Sequence, residues 1–103
     1  MSQFRMKHSK VVVLWRGGLH LRPAAMLVQV AKQFHSTIHL KCRGKVADLR
    51  SIFGVVALCA TMGTALDVEA VGEDEQDAAQ AIEQVFSAHT GDDASLPRSD
   101  FKR

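Results

Sequence analysis

The chain has 103 residues, 47% hydrophobic and 23% charged, with a formal net charge of +2. That length makes one domain with a modest core and is too short for two. So small a charge, without a long basic run, argues against nucleic-acid binding. Along the chain, Val11-Val12-Val13-Leu14-Trp15 is β-branched, ends on an aromatic and is stopped by Gly17-Gly18, so it predicts a strand. Next comes Gly17-Gly18-Leu19-His20-Leu21-Arg22-Pro23-Ala24-Ala25. Pro23 suits a first helical turn, where the N–H it lacks would have no intrahelical partner. Ala24, Leu27, Val28, Ala31 and Phe34 recur at helical spacing, so a helix is expected from beside His20 to about Gln33 or Phe34.

Thr37–Cys42 alternates strictly and predicts a strand with Ile38, Leu40 and Cys42 inward. Arg43-Gly44 is a turn signal, and Lys45–Asp48 can pair back as a short third strand. Ser51 is a good N-cap for a short helix from Ile52 to about Leu58, with Ile52, Val55, Val56 and Cys59 as its core face and Phe53 pointing outward beside His20. Leu66–Ala70 alternates again and predicts a fourth strand. Asp74–Ala88 sets Ala78, Ala81, Ile82 and Val85 on one helical face, with acidic residues crowding its first turn. The order βαββαβα predicts an α+β fold, a four-stranded antiparallel sheet with three helices on one face. Residues 91–103 have no hydrophobic period and are expected to be a flexible C-terminal tail on a domain spanning 1–90.

Several chemistries are not expected. Cys42 and Cys59 form no Cys-x-x-Cys pair, so reduced thiols are expected. His35 and His39 are four apart, but an extended chain would separate them by about 13 Å, so no metal site is expected. His8 and His89 lie near the domain's edges without a partner pattern and are expected to be solvated. No apolar run approaches the length of about 20 residues that a membrane helix needs, and Val11 to Leu14 is too short for a signal-peptide core. A cytoplasmic protein without membrane insertion is the expectation.

His20 is the residue with chemistry attached. A helix start offers free N–H groups and the positive end of the peptide dipole, which attract an anion. An imidazole there is a nucleophile beside a ready-made phosphate site. Arg22 adds a fixed cation with several donors for phosphoryl oxygens. The pattern points to a histidine that accepts a phosphoryl group, with the helix start at Leu21 and Arg22 stabilising it.

This segment resembles the active-site motif of HPr, the histidine-containing phosphocarrier of the phosphoenolpyruvate-dependent sugar phosphotransferase system. Gly44-Lys45 and then Leu49-Arg50-Ser51-Ile52-Phe53-Gly54-Val55 resemble that family's second helix and regulatory serine. Gly63-Thr64 and Gly72-Glu73-Asp74-Glu75 are similar to the turns flanking its last strand. The resemblance covers roughly residues 8 to 90 and implies an open-faced β-sandwich. It implies that His20 takes a phosphoryl group on its δ1 nitrogen from enzyme I and passes it to a IIA component, with no cofactor and as a monomer. It implies docking through Leu21, Ala25, Ile52, Phe53 and Val56. It also implies that Ser51 is the site of an HPr kinase/phosphorylase, a modification that elsewhere links the fold to a transcriptional regulator. A regulatory binding protein controlled through Ser51 is the alternative, although relatives specialised that way can lack the histidine. Another is a carrier of a nitrogen-related phosphotransferase branch. The chain departs from several relatives in that Leu21 is apolar where they carry a small polar residue. Gln29 and Gly54 are uncharged where their docking surface is basic, while Lys32 and Arg50 keep positive charge.

Overall fold

Four strands and three helices, described over residues 6–88 of a computed structural model, follow one another in the order that the sequence patterning predicts. They are β1 (Met6–Val12), α1 (Leu21–Ala31), β2 (Thr37–Cys42), β3 (Lys45–Asp48), α2 (Ile52–Val56), β4 (Ala65–Val71) and α3 (Glu75–Ala88). The strands form one antiparallel sheet in the order β1-β4-β2-β3, so β4, last in sequence, lies between β1 and β2. β2 and β3 match the sequence expectation residue for residue, and Ile38, Leu40 and Cys42 are buried. Their alternation is clean because one face meets the helices and the other meets solvent. The core joins Leu40, Leu66 and Val68 of the sheet to Leu27 of α1, Val55 of α2 and Ile82 of α3. Trp15 closes one end of it, with its ring 5.2 Å from that of Phe86 at a 57° tilt.

β1 corrects the sequence reading. It begins at Met6 and ends at Val12, whereas Val11–Trp15 was the expectation. Lys7 and Ser9 share the inward face with Val11 while Met6, His8 and Lys10 point outward, so polar residues occupy both faces and leave no alternation to read. Val13 continues the pairing without counting as strand, donating to the Thr64 carbonyl at 2.9 Å and accepting from the Gly63 N–H at 2.7 Å.

His8 is not simply solvated either. Its Nε2 lies 3.5 Å from the Glu69 carboxylate, on the open face of the sheet. There the register sets two rows of charge across the strands. One is Lys10–Asp67–Lys41 and the other His8–Glu69–His39–Asp48. His89 and the expected tail lie outside the described residues.

The helix ends also differ. α1 stops at Ala31 because the chain tightens, with Gln33 bonding to the Val30 carbonyl and Phe34 to that of Ala31, the three-residue spacing of a closing turn. α2 stops at Val56 in the same way, and Cys59 then takes a left-handed φ of 55°. That turn carries Leu58 into the core and leaves Cys59 exposed, so Leu58 replaces Cys59 on the expected core face. Val55 is fully buried, while Ile52 and Val56 are partly buried against the core.

Asp74, just before α3, ties down the α1–β2 connection. Its carboxylate accepts from the His35 N–H at 2.8 Å and the Ser36 hydroxyl at 2.6 Å. Among the described residues no helix is long and apolar enough to cross a membrane, and no three His, Cys, Asp or Glu side chains gather to hold a metal ion.

Candidate functional site

The segment before α1 folds back on itself to present His20. The Gly18 N–H donates to the Trp15 carbonyl at 2.8 Å, and the His20 N–H donates to the Gly18 carbonyl at 2.9 Å. Gly18 has φ +80°, and a Cβ there would lie 2.7 Å from the Ala60 carbonyl oxygen, so this close passage requires glycine. Alongside it, the Leu19 N–H donates to the same Ala60 oxygen at 2.9 Å. These bonds fix the backbone that leads into α1 against the loop that follows α2.

His20 is the N-cap residue of α1, in extended conformation, and its side chain makes no capping hydrogen bond. It is exposed. The ring lies over Gly17, with its Cδ2–Nε2 edge turned toward that residue. The first helical N–H groups, those of Leu21 and Arg22, have no intrahelical acceptor, and Pro23 has no N–H to offer. Arg22 is exposed, and no carboxylate among the described residues pairs with it. An imidazole, two free N–H donors and an unpaired guanidinium therefore share one helix start. That combination can hold a phosphoryl group by its oxygens while a ring nitrogen bonds to phosphorus.

Beside it, α1 and α2 pack against each other. Leu21 is 55% exposed and Phe53 78%, Ala25, Ile52 and Val56 are half-buried, and together they give α1 and α2 an apolar surface. Met62, 56% exposed, lies two residues past Ala60 in the loop stapled beside Leu19. The sequence reading missed Met62, because only the Leu19–Ala60 bond, between residues distant in the chain, brings that loop to the site.

Ser51 caps α2, its hydroxyl accepting from the Gly54 N–H at 3.0 Å. It stands at the N-terminal end of the five-residue α2, opposite the end that leads into the Cys59–Met62 loop. Arg50 next to it is engaged. Its guanidinium donates to both oxygens of Asp48, at 3.2 and 3.0 Å, and the Asp48 carboxylate also accepts from the Arg50 N–H at 2.9 Å. The Arg50 hydrogen bond holds the Asp48 carboxyl below its ordinary value and raises that of Arg50. Among the described residues, Arg22 therefore has no carboxylate partner, whereas Arg50 is occupied by Asp48.

Comparison with known proteins identifies the family and the fold. The family described as PTS-HPr, the phosphotransferase-system HPr component phosphorylation site, matches residues 7–88. A phosphocarrier protein HPr from Bacillus anthracis is 32% identical, with a TM-score of 0.75 over 80% of this chain and 98% of its own. An HPr from Thermoanaerobacter tengcongensis is 31% identical, with a TM-score of 0.78 over 85% of this chain and 99% of its own. Crh from Bacillus subtilis, a catabolite-repression protein, is 36% identical, with a TM-score of 0.66 over 87% of this chain and 98% of its own. The four-stranded antiparallel sheet with its three helices is the fold of these structures, and the chain belongs to the HPr family of phosphocarriers.

Proposed function

We propose that His20 carries the phosphoryl group, accepting it from a phosphorylated histidine of enzyme I and passing it to a histidine of a IIA component. The transfer is a displacement at phosphorus. The lone pair of the neutral His20 Nδ1 attacks, the donor's P–N bond breaks, and its electron pair returns to the donor ring. No metal or cofactor enters the step. Arg22 neutralises and orients the transferred oxygens, and the Leu21 and Arg22 N–H groups bind them as charge develops. The observation that carries this reading is the joint presentation of an exposed imidazole, the two N–H donors and an unpaired arginine at the start of α1. Choice of Nδ1 is supported by the ring's pose, which turns Nε2 toward Gly17. Leu21, Ala25, Ile52, Phe53, Val56 and Met62 form the docking surface of a monomer working in the cytoplasm.

The test is incubation with phosphoenolpyruvate and enzyme I of the sugar or the nitrogen-related branch, with acid-labile phosphate mapped by mass. Phosphate on His20 with one enzyme I assigns the branch, and no label from either refutes the carrier role.

The second reading, a regulatory protein controlled at Ser51, is favoured by the likeness to Crh. It requires an HPr kinase/phosphorylase acting on Ser51 and a regulator that binds the modified form. A protein that takes phosphate on His20 but is ignored by that kinase is a carrier only.

A further inference from the structure

The orientation of the His20 ring has no hydrogen bond behind it. The side chain makes no cap bond, and neither ring nitrogen meets a donor, an acceptor or a carboxylate among the described residues. A reacting histidine is ordinarily aimed by a hydrogen bond to its second nitrogen. Here the Cδ2–Nε2 edge of the ring occupies the space into which a side chain at position 17 would project. A Cβ built on Gly17 would stand 2.9 Å from Cδ2, 3.3 Å from Nε2 and 3.8 Å from Cγ of His20, and outside residues 16–18 these three ring atoms are its nearest neighbours. The first distance is shorter than carbon atoms tolerate, so ring and methyl could not both keep their places.

From this we infer that Gly17 is the positioning residue for His20. It is a flat seat that sets the ring's orientation by contact, in place of a hydrogen-bond partner. The inference rests on the phosphocarrier reading above and extends it to a residue that does not touch the phosphoryl group. Two features separate this role from the usual reasons for glycine. Gly17 has no positive φ, in contrast to Gly18, so a left-handed backbone is not what requires glycine there. Its surroundings are exposed, so an added methyl group would meet the ring and no core. The turn explains why the ring reaches Gly17 at all, since the His20 N–H to Gly18 carbonyl bond folds the backbone back over it. A methyl group at position 17 would swing the ring about its Cα–Cβ and Cβ–Cγ bonds and move the attacking nitrogen relative to the Leu21 and Arg22 N–H groups. Displacements near 1 Å at a reacting atom cost up to about a hundredfold in rate.

Gly17→Ala is the test, in the full chain with phosphoenolpyruvate and enzyme I. The expected result is a fall in kcat for phosphorylation of about tenfold, with KM for the carrier within about twofold of the wild type, because the docking surface is untouched. The melting temperature should hold or rise, since alanine restricts the unfolded chain at a position it can occupy. The ring resonances of His20 should shift while the amide resonance of Phe53 stays in place. A Gly17→Ala protein with the wild-type kcat, or with unmoved His20 ring resonances, would overturn the positioning role. Wild-type protein that takes up no phosphate would overturn the carrier reading and this role with it. That result differs plainly from a labelled wild type matched by an equally fast variant.

Discussion

Leu19 and Ala60 are joined by a backbone hydrogen bond of 2.9 Å that fastens the approach to His20 onto the loop after α2. Gly18 slides under this bond at φ +80°, so Gly18→Ala combines a strained backbone with a clash against the Ala60 oxygen. We expect it to lose about 1–3 kcal/mol of stability, measured by urea unfolding. Gly17→Ala, one residue away, should lose none. Equal losses at the two positions would mean that the turn is sensitive to any side chain.

His20→Ala should fold normally and take no acid-labile phosphate. The cost of losing an N-cap side chain is typically about 1 kcal/mol. It should be smaller here, because the ring makes no capping bond. Undiminished labelling of this variant would place the phosphoryl group elsewhere.

Arg22→Ala should slow transfer about tenfold or more with unchanged melting, because among the described residues Arg22 pairs with no carboxylate that would be left behind. Arg22→Lys should recover only part of the rate, since an ammonium cannot present two parallel donors to a phosphoryl group. Full recovery by lysine would mean that charge alone matters.

Ser51→Ala removes the oxygen that accepts from the Gly54 N–H and should cost about 1 kcal/mol. Ser51→Asp keeps an acceptor at the cap and adds negative charge where the helix start tolerates it, so stability should hold. That charge lies beside Ile52 and Phe53, where a partner has to desolvate it, and phosphorylation of His20 by enzyme I should slow. A wild-type rate in Ser51→Asp would remove this end of α2 from the docking surface.

Acid should loosen the clamp at Asp74. Burial works against its ionisation, but hydrogen bonds from the Ser36 hydroxyl and from the backbone at His35, Asp74 and Ser36 jointly outweigh it and hold the carboxyl below its ordinary value. A group depressed in the folded state contributes stability that is fully present above its unfolded pKa and is lost as pH falls through the folded value. The loss therefore belongs below about pH 4. Asp74→Asn should melt lower than the wild type at pH 7, and the gap should shrink as pH drops through this range. A gap independent of pH would show that the carboxylate's charge is irrelevant to the clamp.

Legibility in the sequence tracked how local the cause was. β2 and β3 were readable to the residue because each has one buried face and a turn of its own. The Ser51 cap was readable for the same reason, since its acceptor and donor are three residues apart. β1 was not, because its pairing with β4 spans most of the chain and its inward positions are Lys7 and Ser9. Cys59 falls off the core face because the chain tightens after Val56 and turns left-handed at Cys59, so the helical period does not reach it. At the site, His20 and Arg22 stood out from their neighbours' chemistry alone. The seat at Gly17 and the nearness of Met62 depend on the folded path of the backbone and could not be read from spacing.

The charge rows on the open face bear on the order in which the sheet can assemble. β1 brings His8 and Lys10 to that face, β2 brings His39 and Lys41, and the acidic Asp67 and Glu69 belong to β4 between them. A nascent chain that has emerged only through β2 holds two basic strands and no acidic one. Like charges set directly opposite one another disfavour pairing, so β1 and β2 have little reason to zip together early. β4 alone satisfies both, through Lys10–Asp67 at 3.2 Å and Lys41–Glu69 at 2.9 Å. The last strand to be synthesised thus carries the acidic partners of both earlier strands, which a β1–β2 hairpin would lack.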